Sequence, residues 1–442
     1  MSLWEKMFRR KPIERLVEVT ERPTSIIDEE HATGKLRRVL GVTDLITFGI
    51  SSCVGSGIFV IAGVAGKHAG AGLFLSFIIG GVSCSFSGLC YSEFATRVPV
   101  SGSAYTYTYC ALGEVLAFLI GWDLTLEYGI SAATVAQGWS GYLRTLLLSC
   151  GVEDKYLPWV LFGKYVNSFF TINIMSGILI ALCTMLLMYG VRESARFTNV
   201  ITVWNIVLIV VYVIAGAFFV DTNNWYHPCD NASYGTRCNN KGNEHNSFFP
   251  QGFRGVVRAA GIVFFSYVGF DAVSCLAEET QNVRKNMALG ILGTLAIATT
   301  LYIGVSLVLL GMVPFTALDE RSPLANAFEV HHQPVLAAIV SFGALTTTCA
   351  TTLTSLIGQP RIFYRMAKDG LFFPVFATIN PRFHTLVHGS LLSGTIAALI
   401  GTFINFDLLA QMISVGTLMA YILVSYFFII IIFFYFLIFV LQ

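Results

Sequence analysis

Long uncharged stretches separated by short charged connections dominate the chain. No Lys, Arg, Asp or Glu occurs from Leu45 to Gly66, Tyr165 to Val191, Phe197 to Val220, Asn286 to Leu318, Pro334 to Pro360 or Thr385 to Phe406. Each stretch exceeds the ~20 residues that a helix, rising about 1.5 Å per residue, needs to cross roughly 30 Å of hydrocarbon. Helices this apolar have no face to turn towards water. The pattern predicts spans near residues 42–66, 72–95, 112–145, 167–190, 196–220, 256–277, 287–312, 333–358, 385–404 and 408–432. The expected fold is therefore all-α, a polytopic membrane protein with about ten transmembrane helices.

Composition supports the same conclusion. Of 442 residues, 55% are hydrophobic and 12% charged, against about a quarter charged in soluble domains. The net charge of +1 matters less than its distribution. Residues 1–41 carry nine basic and seven acidic side chains. Basic residues also follow the second, fourth, sixth and eighth spans: Arg97; Arg192 and Arg196; Arg284 and Lys285; Arg361, Arg365 and Lys368. The positive-inside rule places those connections and the N-terminus in the cytoplasm. The expected organisation is a cytoplasmic segment (1–41), a first half (42–220), an extracellular or lumenal loop (221–254), a second half (255–432) and an apolar C-terminal extension or truncation point (433–442).

The outward loop carries the sequon Asn231-Ala232-Ser233 and two cysteines, Cys229 and Cys238. It is the expected place for glycosylation and a disulfide, with an unmodified loop as the alternative. Other cysteines, such as Cys53 and Cys349, lie in apolar spans and read as small hydrophobes.

Candidate chemistry sits where the helical pattern fails. The first span contains Gly49, Gly55 and Gly57 with Ser51, Ser52 and Ser56 between them. The sixth reads Phe265-Ser266-Tyr267-Val268-Gly269-Phe270-Asp271. Glycine-interrupted segments at corresponding positions of two halves are the pattern of inverted-repeat transporters. Uncoiled backbone in lipid needs partners, and a zwitterion supplies them. Amides around Gly55, Ser56 and Gly57 suit a carboxylate at a positive half-helix end. Carbonyls near Ile50, Phe265 and Ser266 suit an ammonium group. The same glycines also read as close-packing positions, and periodicity alone does not separate the two.

Asp123 and Glu127 lie four apart on one face of the third span. Such a face lines the protein interior or a vestibule, where it draws a cationic substrate or takes a proton, or it lies structurally near the interface. No phosphate-binding loop, metal-spaced cluster or nucleophile elbow occurs, so neither an enzyme, a metal nor a cofactor is expected. Basic residues without an aromatic platform give no nucleic-acid partner.

Taken in order, several segments resemble the amino acid–polyamine–organocation superfamily, and its cationic amino acid transporter family in particular. They are Gly55-Ser56-Gly57-Ile58-Phe59-Val60, Gly88 to Phe94, Arg97-Val98-Pro99 leading to Gly102-Ser103-Ala104-Tyr105, Gly121-Trp122, Phe265 to Asp271 and Gly358 to Gly370. The resemblance implies a LeuT-like 5+5 inverted repeat that carries L-amino acids, cationic ones such as arginine, lysine and ornithine, by alternating access. It implies substrate contacts at Ile50, Gly55, Ser56, Gly57, Phe265 and Ser266, with Phe265 as an aromatic gate. Asn205 stands where bacterial relatives often carry lysine, so that resemblance favours uniport or exchange over proton coupling. A membrane sensor that binds amino acids with little transport is the alternative. The plasma membrane is expected before a lysosomal or vacuolar one. Animal-type members commonly reach fourteen spans, and the uncharged run from Leu408 to Gln442 is expected to mark a truncation.

Overall fold

The computed structural model describes residues 40–55, 57–97, 103–167, 169–189, 191–226, 248–318, 322–380 and 386–406, together with 408, 409, 412 and 422. Within these the first predicted span is in pieces: α1 (Val42–Cys53), a π-helical turn (Gly57–Ile61) and α2 (Ala62–Ala69). The second span is α3 (Leu73–Arg97), and α4 (Ser103–Ala111) leads from it into the third, α5 (Glu114–Ser149). Beyond α6 (Trp159–Phe162), a two-residue antiparallel ladder joins β1 (Lys164–Tyr165) to β2 (Thr171–Ile172). The fourth and fifth spans follow as α7 (Ile174–Tyr189) and α8 (Val191–Ala217), and α9 (Asn223–Tyr226) comes after them.

The sixth span is also split, into α10 (Gly252–Val263), a 3-10 turn (Phe264–Tyr267) and α11 (Phe270–Ser274). The seventh is α12 (Val283–Met312), and α13 (Pro323–Val330) precedes the eighth, α14 (Pro334–Lys368). The ninth is α15 (Val387–Phe403). The tenth, expected at 408–432, falls almost entirely outside the described residues, as do Cys229, Asn231 and Cys238.

Six helical stretches among the described residues are long and apolar enough to cross a membrane. The fourth and ninth spans give shorter apolar helices, Ile174–Met188 and Val387–Phe403. The sixth gives none because its break leaves pieces of 12 and 5 residues. By contrast, the 36-residue α5 is about 54 Å long and must tilt or project beyond the hydrocarbon.

Outward-facing residues confirm the solvent. On α8, Val203, Trp204, Val207, Val211 and Ile214 are exposed, as is Phe218 just beyond it, by 84%. A water-soluble monomer does not carry an apolar face of that extent, whereas lipid requires one.

Four links tie one end of the bundle together. Leu40 N–H donates to Glu279 O and Leu40 O accepts Gln281 N–H, both at 3.0 Å, as a parallel bridge. Arg361 on α14 meets Glu279 at 2.7 Å, with both side chains nearly buried. Tyr105 on α4 donates to Asp369 at 2.9 Å. Asn199 on α8 donates to Asp44 on α1 at 2.9 Å. The chain before the first span and the ends of the sixth and eighth spans therefore share one side.

Candidate functional site

Both interruptions lie in the interior and touch each other. In the first, α1 stops at Cys53, and Val54 N–H closes the last turn on Ile50 O at 2.7 Å. Val54 has φ −84° and ψ 70°, and Gly55 N–H donates to Cys53 O at 3.0 Å. These are the features of an inverse γ-turn, which interrupts the helix within three residues. In the second, Gly269 has φ +121°, a conformation that a side chain resists. Asp271, at the start of α11, accepts Gly269 N–H on Oδ1 at 3.1 Å and so fixes that turn.

The two breaks cross with little between them. A Cβ added to Gly57 would lie 2.6 Å from Ser266 Cα, and one added to Gly269 would lie 2.5 Å from Ser52 Cβ. Glycine is needed at both places because one backbone lies on the other. Hydrogen bonds join them directly. Ser266 Oγ donates to Gly57 O at 3.1 Å, and Cys53 Sγ donates to Tyr267 O at 3.3 Å. Tyr302, on α12 and fully buried, places its hydroxyl 2.8 Å from Cys53 O and 2.7 Å from Ser266 O.

Flanking helices supply further partners for the uncoiled backbone. Thr351 Oγ1 on α14 lies 2.8 Å from Ser51 O and 3.1 Å from its own helix's Thr347 O. It also fills the space beside Gly55 that a side chain there would need. Tyr128 on α5 donates to Asp271 Oδ2 at 2.6 Å. Tyr142, on the same helix, donates to Phe59 O in the π turn.

Of the residues singled out in the sequence, the structure brings Ile50, Gly55, Gly57 and Ser266 to this crossing, all buried. Ile50 O and Ser266 O already receive Val54 N–H and the Tyr302 hydroxyl. Phe265 contributes backbone to the 3-10 turn, while its side chain and all of Ser56 lie outside the described residues. Asn205 is buried on α8, where its Oδ1 accepts Thr346 Oγ1 from α14 at 3.3 Å. On α5, Asp123 is half-buried and Glu127 buried, beside the Tyr128 that reaches Asp271. Among the described residues no three His, Cys, Asp or Glu side chains form a metal-holding group.

The sequence did not single out Tyr302 or Thr351 as site residues. A hydroxyl inside an uncharged span is the only signal each carries. A buried hydroxyl needs an acceptor, but which carbonyl it finds depends on another helix.

Such an architecture defines a class: a multi-pass helical membrane protein in which two broken helices meet inside the bundle. Residues 40–440 match the family described as amino acid permease, and the chain belongs to that family. A methylthioribose transporter of Bacillus subtilis (strain 168) is 39% identical over 420 residues, covering 95% of this chain and 84% of the relative. The branched-chain amino acid permease BcaP of the same organism is 35% identical over the same coverage. Cationic amino acid transporter 9, chloroplastic, of Arabidopsis thaliana is 38% identical over 393 residues, 88% of this chain and 66% of that protein. The chain thus spans most of the bacterial relatives and about two thirds of the plant one.

Proposed function

We propose that this protein carries L-amino acids across a membrane by alternating access, with the crossing of the two breaks as the substrate site. The observation that carries the proposal is the direct contact between the two breaks, Cys53 and Gly57 in the first with Ser266 and Tyr267 in the second. The π turn and α2 begin at the first break, so their positive end favours the substrate carboxylate there. The α-ammonium group bonds the carbonyls, and the aromatic gate is assigned to Phe265, the position that the family resemblance implies. Residues 42–220 and 255–432 form the two inverted halves.

The preferred substrates are cationic, arginine, lysine and ornithine. Glu127 and Asp123 on α5 supply the negative potential, and the name of the Arabidopsis relative supports this choice. Asn205 lacks the charge of a lysine, which favours uniport or exchange. The N-terminus faces the cytoplasm, an orientation that the basic connections support, and the membrane is the plasma membrane.

One observation favours a second substrate class. The two Bacillus relatives are named for methylthioribose and branched-chain amino acids. Uptake of labelled arginine, lysine, leucine and methylthioribose into vesicles holding the purified protein tests both readings. Saturable arginine flux is expected; saturable leucine flux without arginine flux would move the assignment to neutral substrates. Binding without flux of any of them would favour a sensor, and neither binding nor flux would remove the proposal.

A further inference from the structure

The hydroxyl of Tyr302 has one proton and two carbonyl acceptors, Cys53 O at 2.8 Å and Ser266 O at 2.7 Å. Both distances are ordinary for O–H···O bonds, so the single donor is shared between the two broken helices. Its ring is fixed from two sides, by Phe77 with centroids 5.0 Å apart and by Tyr267 at 5.3 Å. The side chain is fully buried and projects from α12, an unbroken 30-residue helix. A rigid element therefore presents one donor to the point where two interrupted elements cross.

Resting on the transport reading above, we propose that Tyr302 is the positioning residue that lets the carrier change sides without substrate. Alternating access passes through a form closed to water on both faces. In that form an uncoiled carbonyl has only protein or substrate donors, and an unsatisfied one is costly. A loaded carrier brings an ammonium group with three donors. An unloaded carrier has the Tyr302 hydroxyl. Cys53 O also receives Gly55 N–H at 3.0 Å. Removing the hydroxyl should therefore penalise the unloaded crossing more than the loaded one, separating net transport from exchange.

The experiment compares two fluxes of one labelled amino acid, arginine or leucine according to which the wild type carries, in vesicles of equal protein content. Net flux is measured into substrate-free vesicles, and exchange into vesicles preloaded with the unlabelled compound. Tyr302→Phe keeps the ring and its packing. Its ratio of net flux to exchange should fall about tenfold, the effect of one buried acceptor left without a donor. Phe77→Leu loosens the ring's packing but keeps the hydroxyl, and its ratio should stay within twofold of wild type. An unchanged ratio in Tyr302→Phe, or an equal fall in Phe77→Leu, would overturn the inference. Should Tyr302→Phe fail to reach the membrane, the wild type still decides. Net flux within about tenfold of exchange supports the role, and obligatory exchange contradicts it while leaving transport intact. Absence of both fluxes in the wild type would instead remove the transport reading.

Discussion

At the scale of single residues, glycines and hydroxyls divide the work of the site. Gly57 and Gly269 allow two backbones to touch, and Ser266, Tyr302 and Thr351 satisfy the groups that uncoiling exposes. Gly57→Val should abolish substrate binding, because its Cβ would fall 2.6 Å from the Ser266 backbone. Radioligand binding on protein that still reaches the surface checks this; retained affinity would contradict it. Gly269→Ala combines an unfavourable φ of +121° with a collision at Ser52. A loss of about 1–3 kcal/mol is expected, read as a lower unfolding temperature in detergent. The glycines were legible in the sequence as candidates, because several inside an apolar span weaken a helix, but the pattern alone left close packing as an equal reading. Tyr302 was not, since a tyrosine among leucines reads as core until its acceptor, 36 residues earlier, is placed beside it.

Among elements, the first nine spans occur in the order that the hydrophobic pattern predicts, and their edges shift where polar helix continues past the apolar run. α14 extends to Lys368, ten residues beyond the expected edge, because its last turns bury Arg361 and Arg365 against protein. The short helix α4 falls in a stretch that the hydrophobic pattern assigns to the connection between the second and third spans. Tyrosine and threonine alternate from Tyr105 to Tyr109, and the nine residues are too polar and too brief to mark a span, yet they pack inside. The ion pair between Arg361 and Glu279 joins the eighth span to the end of the sixth. Removing one partner of a nearly buried pair leaves an uncompensated charge, so Glu279→Gln should destabilise the protein by about 3–5 kcal/mol. Replacing both, as Glu279→Leu with Arg361→Met, should recover most of that loss. Thermal unfolding of the three proteins in one detergent measures it, and an equally unstable double variant would count against a simple charge effect.

For the molecule as a whole, lipid dictates what faces outwards and the two breaks dictate what happens inside. Val207 lies on the exposed apolar face of α8. Val207→Lys should cost about 2.5–3.5 kcal/mol of insertion free energy if it lies near mid-bilayer. Glycosylation-tagged insertion assays of that span report the change directly. Selectivity is the property least legible from the chain, because it depends on which side chains from separate helices meet a bound substrate; in the proposed reading these include Asp123 and Glu127. The most direct measurement concerns the crossing itself: displacement of a labelled amino acid from the purified protein by analogues lacking one backbone group. For arginine these are agmatine, which has no carboxylate, and the des-amino acid, which has no α-ammonium. If the uncoiled backbones hold both charged groups, each analogue should bind at least about a hundredfold more weakly than the amino acid. Agmatine binding as tightly as arginine would contradict it.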